Sequence, residues 1–334
     1  MSGMKIPCVQ DQPECRSGHW HTWSALPTLL VLTIVISCIA AAEDPNHASS
    51  VPVYRSNVSE VRVTFFATDE SNHSRATLAS SDFAVVDSEY VVRDFRSFTR
   101  SDEASLDVVV LVDVSESVAP RLRVALKDVL QLVAREQSIS DDNFSVLSFG
   151  GTSCSTGPAI LCSGGCDASD AASRLQTVNS GGATPLFDAL MFGADFISHH
   201  HRAGARPVLI LFSDGNDNVS RHSAREALDA VLAEGALIYS VDIGTPEKPS
   251  AGSVFLRQAS DGTGGRYFSA RFSPREGAAT LLNAVLEDLR ASYVVTYDPP
   301  SHQAGFHSLR LLPTHNLNLT FHSRNGYYRE PSVR

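Results

Sequence analysis

The sequence predicts an α/β protein: a doubly wound, mostly parallel sheet, joined by a small β-rich accessory domain built from the N-terminal segment and a C-terminal hairpin. Three observations predict it. Two runs, LDVVVLVD (106–113) and PVLILF (207–212), are almost wholly apolar, as a strand buried on both faces requires. Strand-like and helix-like segments alternate across 105–297, the pattern of parallel strands with helical crossovers. Short β-branched and aromatic runs, separated by Asp, Ser and Asn, fill 52–100 and read as a small domain of several strands.

Residues 1–42 come first. The 18-residue run 25–42, ALPTLLVLTIVISCIAAA, carries no charge, and the segment before it sets Lys5 and Arg16 against Asp11 and Glu14. An apolar core, small residues and then Glu43-Asp44 read as an export signal. Three fates stay open: cleavage after Ala40-Ala41-Ala42, acylation of Cys38 in the lipobox-like Val35-Ile36-Ser37-Cys38, or retention as an anchor just long enough to span a bilayer. Each places 43–334 outside the cytoplasm, with membrane contact only through this segment. The polar stretch 43–51 reads as a linker. VRVTFFA (61–67), DFAVVD (82–87) and YVVRDF (90–95) are the strands of the 52–100 domain, and DESNHSRA (69–76) is a loop between two of them.

From 105 the period changes. After LDVVVLVD, Leu122, Leu126, Val129, Leu130 and Val133 recur at helical spacing. FSVLSF (144–149) is a strand; DASDAASRLQ (167–176) and PLFDALMFGADFISH (185–199) are helices. The second helix is entered through Thr184-Pro185, where proline suits the first turn. After PVLILF, residues 221–234 are helical with Leu228, Val231 and Leu232 on one side, and ALIYSVDI (236–243) is a strand. LLNAVLEDL (281–289) is a helix and SYVVTY (292–297) the last strand of the sheet. In the tail 298–334, FHSLRLL and NLNLTFHS look like a hairpin around Pro313-Thr314-His315.

The 334-residue chain holds 27 Lys+Arg against 37 Asp+Glu, a net charge of −10. Phosphate neutralisation needs a basic surplus, so nucleic acid is not an expected partner. G-x-S-x-G, H-E-x-x-H and the P-loop are absent, and no enzyme is expected. Cys8, Cys15 and Cys38 lie in the leader, whereas Cys154, Cys162 and Cys166 cluster at C-x7-C-x3-C spacing. An oxidising compartment would pair two of these three and leave one over. Free thiols and a metal site stay open, although a zinc site lacks a fourth ligand at usual spacing.

Ligands of a doubly wound sheet gather at the carboxyl ends of its strands. The first buried strand ends in Asp113-Val114-Ser115-Glu116-Ser117, a D-x-S-x-S segment, and the second in Ser213-Asp214-Gly215. Between them, Gly181-Gly182-Ala183-Thr184 delivers a hydroxyl at a helix entrance. Two carboxylates (Asp113, Asp214) and three hydroxyls (Ser115, Ser117, Thr184) therefore meet one rim. All are oxygen donors, which suits a hard divalent cation, Mg²⁺ first and Mn²⁺ or Ca²⁺ after it. Residues two apart leave an extended segment on the same side. An octahedral ion so held keeps one position for a carboxylate of another molecule, so the expected partner is a protein offering Asp or Glu. The oligomeric state stays open.

These motifs, in this order, resemble the metal-ion-dependent adhesion site (MIDAS) of von Willebrand factor type A domains over residues 105–297. The resemblance implies Ser115, Ser117 and Thr184 as direct ligands, and Asp113 and Asp214 as ligands directly or through water. EVRVTFFATDE, LASSDFAVVD and RDFRSFTR are in addition similar to an exported bacterial subfamily related to the type A domain and frequent in acidobacteria. Leu78, Asp82 and Phe83 match its Leu-x-x-x-Asp-Phe segment; Ser292, Tyr293 and Tyr297 match its S-Y-x-x-x-Y strand; and Gly326–Tyr328 match its terminal G-Y-Y. The chain departs from that pattern at Val86-Asp87-Ser88, where a glycine after the Asp is usual, and in the loop 154–166.

Other polar groups have plainer readings. Glu116 points away as a solvated neighbour, Asp217 stabilises its own turn, and Asp188 supports a helix face. His199-His200-His201-Arg202 is a solvated helix end favoured by the dipole. Gly262-Thr263-Gly264-Gly265 precedes a strand and reads as a loop. Asn-x-Ser/Thr at Asn57, Asn72, Asn143, Asn218 and Asn318 marks glycosylation candidates in a eukaryotic secreted protein and is chance if the protein is bacterial. The expected function is capture of a protein partner outside the cytoplasm through a metal-bridged acidic residue. The rival is a metal-independent envelope scaffold or assembly factor, which EDTA-insensitive binding would favour.

Overall fold

Alternation along one strand sorts the α/β core into two layers. On β5 (Leu106–Asp113), Leu106, Val108, Val110 and Val112 face one side and Val109 and Leu111 the other. Every residue of that strand is buried, because it pairs in parallel with β6 (Asn143–Phe149) and β8 (Arg206–Ser213) and is covered above and below. The computed structural model describes residues 60–329 except 72, 75–76, 102–104, 119–142, 151–157, 165–172, 175–179, 245–249, 270–276 and 316, and only the backbone of 277–282. The leader 1–42, the linker 43–51, Cys154, Cys166, the helix predicted around 122–133 and most of that at 167–176 lie outside the described residues.

The central sheet has six strands in the order β10-β9-β8-β5-β6-β7, with β9 (Leu237–Asp242), β10 (Tyr267–Ser269) and β7 (Ala159–Cys162). All are parallel except the edge strand β7, which runs antiparallel to β6. The Val109/Leu111 side packs against α1 (Leu186–His200), α2 (Ala224–Ala233) and α3 (Ala251–Thr263). The opposite side receives Val285, Leu286 and Leu289 of α4 (Gly277–Arg290). Gly193 lets α1 approach closely: a Cβ there would lie 3.1 Å from both Leu111 and Leu209. Ser223 and Glu226 form a reciprocal capping box that starts α2.

The accessory part is a sandwich of two four-stranded antiparallel sheets. One is ordered β13-β1-β11-β4, with β1 (Val61–Thr68), β4 (Ser97–Arg100), β11 (Tyr293–Tyr297) and β13 (Thr320–Ser323). The other is β14-β12-β2-β3, with β2 (Phe83–Asp87), β3 (Tyr90–Val92), β12 (Gly305–Pro313) and β14 (Gly326–Arg329). Val63, Phe65, Phe83, Val85, Tyr293, Val295, Leu309 and Leu311 fill the space between them. Phe65, Phe83, Phe98 and Tyr293 touch ring to ring at centroid distances of 4.8–6.3 Å, the offset and tilted contacts aromatic rings prefer.

Three expectations change. SYVVTY is not the last strand of the parallel sheet; β11 lies antiparallel between β1 and β4. An apolar run buried on both faces looks the same in a parallel sheet and a sandwich core, so its composition does not decide between them. The two tail segments do not form a hairpin, since β12 pairs with β2 and β14 while β13 pairs with β1 in the other sheet. Finally, Gly262 and Thr263 complete α3, and Gly264 caps it at φ 88°. Gly265 follows where a Cβ would meet the Ile238 carbonyl oxygen at 2.0 Å.

Candidate functional site

β5 and β8 end side by side, and the chain turns sharply after each. The Asp113 carboxylate is fully buried, accepting the Ser115 backbone N–H at 2.9 Å and the Ser213 hydroxyl at 2.7 Å. This is an Asx turn, so the D-x-S-x-S segment gains its common side by turning and not by extended alternation. Ser115 and Ser117 still share a side, their hydroxyls 3.3 Å apart. Ser115 is inaccessible, whereas Glu116 and Ser117 are exposed.

The second carboxylate belongs to the turn after β8. Asp214 is nearly buried and accepts the Asn216 N–H at 3.0 Å. Burial pushes the Asp113 carboxyl up; its hydrogen bonds with Ser115 and Ser213 pull the other way, and the Asp214 charge adds a further rise. Two carboxylates therefore sense each other on this rim. Among the described residues neither forms a salt bridge with Lys, Arg or His.

Thr184 is buried at the entrance to α1. Its loop is docked on the first turn, with Gly181 N–H bonded to the Val114 carbonyl at 2.9 Å and Glu116 N–H to the Gly182 carbonyl at 3.3 Å. Asn218 clamps it to the turn after β8: its side-chain oxygen accepts Thr184 N–H at 2.8 Å, and its own N–H donates to the Thr184 carbonyl at 3.2 Å. Three loops are thus hydrogen-bonded into one rim that brings together the neighbourhoods of all five predicted residues. These five are oxygen donors and could hold a hard divalent ion. Among the described residues no group of three or more His, Cys, Asp and Glu gathers to do so.

Several supports were not foreseen. Ser213 donates to Asp113, and only its place at the end of an apolar strand hinted at this. Gly150, at φ 85°, packs so tightly that a Cβ would sit 3.0 Å from Ser115 N and 3.2 Å from the Ala183 carbonyl oxygen. Gly252 seats the start of α3 on the turn after β8, where a Cβ would come 2.3 Å from the Asp214 carbonyl oxygen. No spacing in the sequence signals such close approaches. Asp217 does stabilise its own turn, accepting from Ser220, and also from Phe187 N–H at the start of α1. Asp188 accepts the Arg221 and His222 N–H groups. The helix end at 199–202 differs from expectation: His201 and Arg202 reach buried Asp107, at 3.0 and 2.7 Å, because that carboxylate at the start of β5 needs counter-charge.

A family model described as the von Willebrand factor type A domain matches residues 107–272. This chain carries a von Willebrand factor type A domain. The match begins at β5 and runs through β10, so it covers the six-stranded sheet and the rim but not the sandwich. Among solved structures, proximal thread matrix protein 1 from the mussel byssus is similar at 18% identity and TM-score 0.43 over 58% of this chain and 50% of its own. The chain thus spans about half the length of that protein. An aerotolerance-related membrane protein from Bacteroides fragilis is similar at 15% identity and TM-score 0.44, over 55% of this chain and 98% of its own. A von Willebrand factor type A structure from Catenulispora acidiphila is similar at 13% identity and TM-score 0.45, over 81% and 74%. No functionally curated protein matches the chain. The type A domain is a fold of protein interaction and adhesion.

Proposed function

We propose that this protein works outside the cytoplasm by binding, and not by catalysis, capturing a protein partner through a divalent cation at the rim. Asp113, Ser115, Ser117, Thr184 and Asp214 would hold the ion, and an Asp or Glu of the partner would complete its coordination. One observation carries this reading: two carboxylates crowd one rim with no cationic side chain among the described residues to neutralise them. An ion there relieves that repulsion and gains neutral hydroxyl donors, which leave it electrophilic toward a further carboxylate. Exposure at Ser117 gives the partner a way in. Export is supported by the apolar run 25–42.

Calorimetric titration with Mg²⁺ and with Mn²⁺ tests the reading. The wild-type protein should bind at least one with millimolar or tighter affinity, and Asp113→Ala should abolish the heat. Equal binding by the two proteins would overturn the metal site. Partner capture from envelope extracts that survives EDTA would favour the scaffold reading instead.

A further inference from the structure

A second concave feature lies at the amino end of β9, whereas the Asp113 rim lies at the carboxyl ends of β5 and β8. It is a cleft of about 520 Å³ between the sandwich and the α/β core, walled by β1, β14, the turn Leu232–Leu237 and the end of α3 at Thr263. That volume is in the range of small-molecule sites. Its charge is one-sided. Arg62, Arg324 and Arg329 line it, against one acidic residue, Glu60.

Arg324 shows what the cleft lacks. One of its terminal nitrogens donates to the Arg62 carbonyl at 2.8 Å and its guanidinium lies 5.7 Å over the Tyr327 ring, yet its buried Nε has no hydrogen-bond partner. Among the described residues no carboxylate pairs with it. The Arg324 guanidinium has its proton affinity lowered by burial, opposed only by Tyr297 and Tyr327. A cation held this way carries an uncompensated desolvation cost, and the carbonyl ends of α2 and α3 at the wall offer half-charges, not an ion. Planar guanidinium donors match the oxygens of carboxylate and phosphate. The half-exposed Tyr328 ring at the mouth supplies an apolar face beside them.

We infer that this cleft binds a small organic oxyanion, its acidic group held by Arg324 and Arg62 and its apolar body against the tyrosines. The site is independent of the rim and of any cation there. Phenyl phosphate is the probe, titrated calorimetrically into the full chain in EDTA, with benzoate as the carboxylate counterpart and phenol as the neutral control. Phenyl phosphate, benzoate or both should bind while phenol does not, and which of the two anions binds more tightly decides between a phosphorylated and a carboxylated ligand. Arg62→Gln, at an exposed side chain whose backbone carbonyl is retained, should weaken the binding at least tenfold without changing the thermal unfolding temperature of the unliganded protein. Binding of neither anion, equal binding of phenol, or undiminished affinity in Arg62→Gln would each overturn the site.

Discussion

Two aspartates at strand ends, each fully buried, are treated in opposite ways. Asp87 closes β2 inside the sandwich, where Tyr297 and Tyr327 both donate to its Oδ2 at 3.0 Å and His307 lies 3.6 Å away. Burial, and then Asp87 itself, pushes both tyrosine hydroxyls upward, so they stay protonated and keep donating. Asp113 closes β5 with one serine hydroxyl and one N–H, and faces a second carboxylate. The first is satisfied from within. The second has no cationic partner among the described residues. A buried carboxylate is therefore not by itself a sign of function; what its neighbours leave unpaired is.

The sharpest way to break this contrast is to delete each carboxylate in EDTA and measure urea unfolding. Asp87→Ala strands the buried Tyr297 hydroxyl and the half-buried Tyr327 hydroxyl and opens a gap, and should cost about 4 kcal/mol. Asp113→Ala strands a single serine hydroxyl and one N–H while relieving repulsion with Asp214, and should cost about 1 kcal/mol. Equal losses would mean that Asp113 is as structural as Asp87.

The joint between the two regions sharpens the contrast through pH. Buried Asp288 of α4 accepts from Ser74 and, at 2.9 Å, from Arg266. Burial outweighs both and pushes its carboxyl up from 3.8 to about 6. His322 of β13, stacked on Phe66 at 4.6 Å and 3.0 Å from the Thr68 hydroxyl, is pushed down from 6.5 to about 4, by burial first and then by Arg266. Between pH 3.8 and 6 native Asp288 keeps a proton that the unfolded chain releases, so its contribution to stability falls as pH rises. Between 4 and 6.5 unfolded His322 takes a proton that the native ring refuses, so its contribution rises with pH. Each slope spans about 3 kcal/mol, and in the wild type they nearly cancel. Asp288→Asn should unmask a stability gain of about 3 kcal/mol from pH 4 to 6.5, and His322→Gln a loss of similar size. Unfolding curves that stay parallel to wild type across that range would refute the pairing.

The smallest effect concerns the turn after Asp87. Ser88 sits at φ 57°, a left-handed conformation that glycine adopts without a Cβ clash. This gives a physical reason for the glycine usual there in the subfamily the sequence resembles. Ser88→Gly should stabilise the sandwich by about 1 kcal/mol in urea unfolding and leave the rim unchanged. A loss instead would mean that the Ser88 hydroxyl, 3.4 Å from Asp87, matters more than the backbone.

Much of the molecule was readable in one dimension. Unbroken apolar runs marked β5 and β8, because central parallel strands exclude polar side chains from both faces. Their ends named Asp113, Ser115, Ser117 and Asp214, and the proline after Thr184 marked the start of α1. Even the sandwich centre was on the page in pieces, as DFAVVD, S-Y-x-x-x-Y and G-Y-Y, without any hint that Asp87, Tyr297 and Tyr327 meet. Local patterns of period two or 3.6 record which faces are apolar, and they did determine the alternation of strands and helices. Which sheet β11 joins, where β12 and β13 part, how Asn218 clamps the rim and why Arg324 has no carboxylate partner among the described residues were decided only by the tertiary structure. Those are contacts between residues tens to hundreds of positions apart, and no short window of sequence holds both partners.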